Sequence, residues 1–195
     1  YSFGYLQTFK KLFLKKHVKT NLAYFADGFQ GGIGLLVWPI FIFLLLKGEY
    51  LKVGLLSAAI VFVSCIVRYF VGELTDRFDR KKVLRIGSVL YGVGWVLKAI
   101  SGTAFQLFVV GSFHDFSGIL IRTPFDALTY DIAVDEGHYV DEFTVLREMS
   151  LHLGRAVMIG LSLLIISFLN VIWIFVLGGL VSLFLNLLSK DEFVY

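Results

Sequence analysis

The chain has 195 residues, of which 57% are hydrophobic and 17% charged; its net charge is +3 and its mean hydropathy +0.80. That balance excludes a water-soluble domain of ordinary composition, and so small a positive surplus gives no ground for a nucleic-acid partner. A helix needs about 20 apolar residues to cross the ~30 Å hydrocarbon core, so the length leaves room for six spans joined by short loops, with the lipid bilayer as the first partner.

Residues 5–18 set Leu6, Phe9, Phe13 and Leu14 at helical spacing with Lys10, Lys11, Lys15 and Lys16 interleaved. This predicts a basic amphipathic segment over 1–19 lying at the headgroup level, with a disordered basic tail as the alternative. A first span over 20–46 carries Asp27, Pro39 and the pair Gly28 and Gly32, whose spacing lets another helix approach closely. After a short turn at 47–52, a second span over 53–71 contains the lone Cys65, which has no partner for an internal disulfide or a metal site. A dense run of charge over 72–82 separates it from a third span over 83–100. A fourth span runs from Ala104 to about Ala133, an acidic loop covers 135–142, a fifth span ends at Phe168, and a sixth covers 171–188. Together these give an all-α integral membrane protein: a six-helix bundle over 20–189 and a short tail at 190–195.

Basic residues orient the bundle. They collect in the N-terminal segment and in the 72–85 region, while the turn after span one holds only Lys47 and Lys52 and those after spans three and five hold none. If the spans alternate, both clusters fall on one side, so both termini and the 72–82 loop are expected in the cytoplasm of a multi-pass cell-membrane protein.

The charged run reads Gly72-Glu-Leu74-Thr-Asp76-Arg77-Phe-Asp79-Arg80-Lys81. It resembles the loop that marks the major facilitator superfamily between the second and third helices of a six-helix repeat. Gly72, Leu74, Asp76, Arg77, Arg80 and Lys81 fall on the pattern in register, and Asp79 stands where the family has a second Gly. The resemblance implies one six-helix half of a major-facilitator-like fold, and a segment like 5–18 would fit the linker before a seventh helix, hence a C-terminal half. It implies secondary transport of a small solute or ion by alternating access, with a missing second half or a second copy as partner. It also implies that Asp76, Arg77 and Arg80 form a cytoplasmic gate network. The start at Tyr1 rather than Met is that expected of a piece.

Ionisable groups at membrane depth cost ~2.5–3.5 kcal/mol each on insertion scales, so they turn inward and pair. Candidates for cavity or coupling are Asp27, His114, Asp115, Glu148, His152 and Arg155, and for supporting pairs Arg68, Arg122, Asp126 and Arg147. Counting 1.5 Å per residue from the span ends matches Asp115 in depth with Arg155, Arg122 with Glu148, and Asp126 with Arg147. Arg68 can snorkel or meet Asp126 or Asp131. Glu148, His152 and Arg155 form one stripe at i, i+4, i+7. Either these groups line a cavity that binds solute or carries a proton, or they are static pairs locking helices four and five.

Other classes are less well supported. An integral-membrane enzyme using His114, Asp115, Asp131 and His152 lacks the His-x-x-x-His or Glu-x-x-His spacing of a metal site, so no catalytic or metal-ligating residue is assigned. Gly31-Gly-Ile-Gly34 is not followed by Lys-Ser/Thr, which gives no nucleotide site and no expected cofactor. A non-transporting scaffold would have little use for the buried charge.

Overall fold

Residues 18–75, 79–135 and 140–188 are described by a computed structural model, and the apolar runs within them are helical rods. We number these α1 (Val18–Leu45), α2 (Tyr50–Thr75), α3 (Arg80–Ala99), α4 (Ala104–Asp135), α5 (Val140–Phe168) and α6 (Ile172–Leu187). Four of them, α1, α2, α4 and α5, are long and apolar enough to cross a membrane on that ground alone. The expectation of six equivalent spans is met only in part. Among the other two, α6 is shorter, and α3 is diluted by Arg80, Lys81, Lys82 and Arg85 at its start and Lys98 at its end. The basic segment up to residue 17, Asp76 and Arg77, residues 136–139 and the tail from 189 lie outside the described residues.

Local chemistry sets the rod ends. Asp79, in place of the family's second Gly, caps α3 by accepting the Lys81 backbone N–H at 3.0 Å, which satisfies one of the orphan donors of the first turn. Thr103 and Gln106 form a reciprocal capping box at the start of α4, with bonds of 3.2 Å in each direction. Between α1 and α2 the chain turns through Lys47 (φ 55°) and Gly48 (φ 76°), left-handed backbone that glycine tolerates and Lys47 adopts at some cost. Inside α1, residues Ile33–Val37 widen into a π turn in which Trp38 N–H bonds to the Ile33 carbonyl. Pro39 follows directly; lacking an N–H and crowding the carbonyl four residues back, it disrupts regular α geometry there.

Glycines fix which rods touch. A Cβ on Gly28 would overlap the Leu151 carbonyl, and one on Gly154 would overlap the Phe25 carbonyl. So α1 and α5 cross backbone to backbone through reciprocal glycines. Gly92 and Gly179 make the same arrangement between α3 and α6, each built Cβ lying 3.0 Å from the other's carbonyl oxygen. Through such contacts α3 sits between α4 and α6, α1 lies against α5 and α6, and α2 packs on α4; α4 and α5 barely meet.

Three apolar layers follow one another along the bundle. One gathers the start of α1 (Ala23, Tyr24), the start of α3 (Leu84), the end of α4 (Leu128, Ile132), Phe143 of α5 and Leu185 of α6. The middle layer holds Phe29, Ile33, Trp95, Met158 and Phe175, and the last holds Ile42, Leu46 and Leu107. The beginning of α1, the beginning of α3 and the end of α6 therefore share one end of the bundle, as alternating rods require.

The crossing makes a direct prediction. Gly28→Ala and Gly154→Ala should each lower stability by about 2 kcal/mol or more, read as a fall in the thermal midpoint in detergent. At Gly31 and Gly160 a Cβ meets nothing within 4 Å, and Ala there should be neutral or mildly stabilising through helix propensity; equal losses at all four positions would contradict the close crossing.

Candidate functional site

Helix α4 carries Asp115, Arg122 and Asp126 at i, i+7 and i+11, which places them on one face. That face looks toward α1 and α2. Along the α2 side, a Cβ on Gly111 would lie 2.7 Å from Ile60 Cδ1, and one turn further the Ser64 hydroxyl donates to Asp115 Oδ2 at 2.9 Å. A turn beyond that comes Arg68. Along the α1 side, Arg122 Nη1 donates to Asp27 Oδ2 at 3.2 Å, and Gln30 Nε2 donates to Asp27 Oδ1 at 3.1 Å. Between these contacts lies a cavity of about 400 Å³, walled by Gln30, Arg68, Tyr91, Asp115, Arg122 and Asp126 among others.

The pair Asp27–Arg122 is lopsided. The Asp27 side chain is 7% exposed, whereas that of Arg122 is 53% exposed to the cavity side. Asp27 is thus a carboxylate sequestered in protein whose charge is balanced by a guanidinium at the cavity wall. Removing the guanidinium would strand it.

His114 also borders the cavity but is held from behind. Its ring stacks on Tyr91 at 3.9 Å and meets Trp95 edge-on at 4.4 Å, and a Cβ on Gly94 would come within 2.7 Å of its Nδ1. Beyond it, the Lys98 ammonium lies 4.2 Å from the Trp38 ring centroid and 4.4 Å from that of Trp95. Only 2% of the residue is exposed, so its amino group is packed against these two ring faces. Trp38, eight residues before the end of the first span, turns inward onto Lys98 and Phe175.

Helix α5 holds the other expected group. Arg147 Nη1 donates to Glu148 at 3.4 Å, and His152 Nε2 lies 3.7 Å from the second Glu148 oxygen. Glu148, His152 and Arg155 run along an open side of α5, outside the walls of the cavity just described, with the Arg155 stem near Gly32 of α1. The expected Asp115–Arg155 pair does not form, and neither do Arg122–Glu148 and Asp126–Arg147. Equal depth was a fair constraint, but α5 packs chiefly on α1 and barely meets α4, so none of its charges comes within 4.0 Å of an oppositely charged α4 group among the described residues. Asp131 is taken by Arg80 at 2.9 Å, leaving Arg68 without a carboxylate within 4.0 Å among the described residues. This Arg80–Asp131 contact ties the start of α3 to the end of α4. Gly72 and Leu74 lie in the last turn of α2; Asp76 and Arg77 are outside the described residues.

Gln30, Ser64, Tyr91 and Lys98 were not singled out from sequence. The first two could have been found by extending the search from ionisable to polar side chains: Gln30 is one turn from Asp27, and Ser64 one turn from Arg68. Lys98, two residues before a span end, reads like any snorkelling lysine.

Residues 20–191 match the family model of the Major Facilitator Superfamily. The chain is also similar to uncharacterized protein YqgE of Bacillus subtilis (strain 168), with 31% identity over 170 residues, covering 82% of this chain and 39% of that protein. The chain thus spans well under half the length of that curated relative.

Arg122→Ala should cost on the order of 2 kcal/mol, because it strands Asp27, and adding Asp27→Asn should restore most of the loss. By contrast, His152→Ala, on the open side of α5, should change stability by less than about 0.5 kcal/mol. Thermal unfolding of the parent, these three variants and Asp27→Asn alone in detergent checks this; additive losses in the double variant would dissolve the pair.

Proposed function

As the chain belongs to the Major Facilitator Superfamily, we propose that it forms one six-helix half of a secondary transporter that moves a small solute across the membrane by alternating access. The observation that carries this reading is the exposure of charge at membrane depth. Arg122, Glu148 and His152 have side chains 53%, 46% and 64% exposed in the six-rod unit. Turned to lipid, each would incur kilocalories of penalty. A water-filled cavity closed over by a second six-helix unit, or by a second copy of this one, accounts for all three at once.

In this reading the cavity among α1, α2, α3 and α4 is the solute site, with His114, Asp115, Arg122 and Asp126 on its wall, Gln30 completing it and Asp27 held behind Arg122. Glu148, His152 and Arg155 face the opposing unit. The start of α1, the α2–α3 link and the end of α6 lie on the cytoplasmic side; the meeting of the starts of α1 and α3 with the end of α6 at one end of the bundle supports that topology. Residues 1–19 lie along the cytoplasmic surface of the membrane, ahead of the bundle over 20–189 and the tail at 190–195. At the cytoplasmic end the gate comprises the loop from Gly72 to Lys81, with Asp76, Arg77 and Arg80 in a charge network and Arg80–Asp131 as its described contact. Such half-exposed pairs are individually weak, which suits contacts that must break and re-form as helices rock.

Uptake of a panel of labelled small solutes into proteoliposomes tests the proposal. We expect at least one solute to accumulate above protein-free vesicles, Arg122→Gln to lose about tenfold or more of that uptake, and Asp76→Asn to impair it with normal membrane insertion. Undiminished uptake by Asp76→Asn would remove the gate role, and no uptake of any solute would remove transport.

A further inference from the structure

The polar groups on the cavity wall divide into occupied and free ones. Asp27 and Arg122 hold each other, and Asp27 also accepts from Gln30. Asp115 receives the Ser64 hydroxyl on Oδ2, while its Oδ1 has no hydrogen-bond donor among the described residues. Arg68 and Asp126, both on the wall, have neither hydrogen bond nor ion pair among them. Gln30, 3% exposed, leaves its Oε1 buried without a donor.

Their spacing is fixed by α2. Ser64 holds Asp115, and Arg68 is the residue one turn further on the same face, about 6 Å along the axis. The wall therefore presents two incompletely bonded carboxylates, Asp115 and Asp126, and, one turn along α2 from the serine that holds Asp115, an exposed guanidinium with no carboxylate within 4.0 Å among the described residues. A cationic solute would answer only Asp115 and Asp126. An anionic one would answer only Arg68, and an uncharged one neither. Charge at membrane depth without a counter-charge is costly, so the solute that best completes this wall carries both signs.

Resting on the transporter reading, we infer that the cavity takes a small zwitterion of the amino-carboxylate class. Its ammonium lies toward Asp115, with Gln30 Oε1 as a further acceptor, and its carboxylate meets the Arg68 guanidinium, whose planar fork suits bidentate binding of a carboxylate. A volume of about 400 Å³ is within the range of small-molecule sites.

The test is ligand-induced thermal stabilisation of the detergent-purified protein, with 4-aminobutyrate, glycine and glycine betaine as zwitterions, and butylamine and butyrate as counterparts lacking one charge. At least one zwitterion should raise the midpoint by a few degrees and the singly charged compounds should not. Asp115→Asn and Arg68→Gln should each weaken that zwitterion about tenfold or more, Asp115→Glu and Arg68→Lys should keep part of the effect, and Lys52→Gln, far from the cavity, should leave it unchanged. Equal stabilisation by butylamine or butyrate, indifference to both neutralising substitutions, or no stabilisation by any zwitterion overturns the inference. Because the shift reads binding without translocation, zwitterion binding with no uptake would sink only the transport reading, and uptake confined to another class of solute would sink only this one.

Discussion

Asp27 and Arg122 join helices that otherwise approach mainly through side chains. An ionised carboxylate in the interior of a bundle persists only with a counter-charge and further hydrogen bonds, and here both are supplied, by Arg122 from α4 and Gln30 from α1. The pair sets how far apart α1 and α4 stand. With α1 held against α5 by reciprocal glycines and α4 held against α3 and α2, the remaining space between α1 and α4 is the cavity. Its walls are charged because the residues that keep it open are charged.

The apolar and polar parts of the bundle divide the work by position. Three layers of buried side chains, from Tyr24 and Leu84 through Trp95 and Phe175 to Ile42 and Leu107, tie the rods together along their length. Charges are tolerated where they have partners or face the open side. Lys98 is a different case: its amino group is enclosed by the Trp38 and Trp95 rings and has no carboxylate within 4.0 Å among the described residues.

Much of the framework was legible in the sequence. Apolar runs gave the rods, Gly28 foretold a close crossing, and the matched positions from Gly72 to Lys81 pointed to the family to which the chain belongs. Periodicity, however, says which face of a helix is special and not which helix it meets. Asp115 and Arg155 match in depth yet lie on helices that scarcely touch, and the partner of Arg122 proved to be Asp27, 95 residues away in the chain. The inward turn of Trp38 was equally hidden, since a π turn between Ile33 and Val37 rotates everything that follows it relative to a regular helix.

The account stands on one claim: the face bearing Arg122 and Asp126 meets water inside the membrane, while the outer face of α3 meets lipid. Thiol labelling in intact membranes measures this most directly, using a membrane-impermeant maleimide on Thr123→Cys, which lines the cavity, and on Val89→Cys, exposed on α3, both in a Cys65→Ser background. The account predicts modification of Thr123→Cys and protection of Val89→Cys. Protection of Thr123→Cys from both sides of the membrane, with Val89→Cys modified, would contradict it.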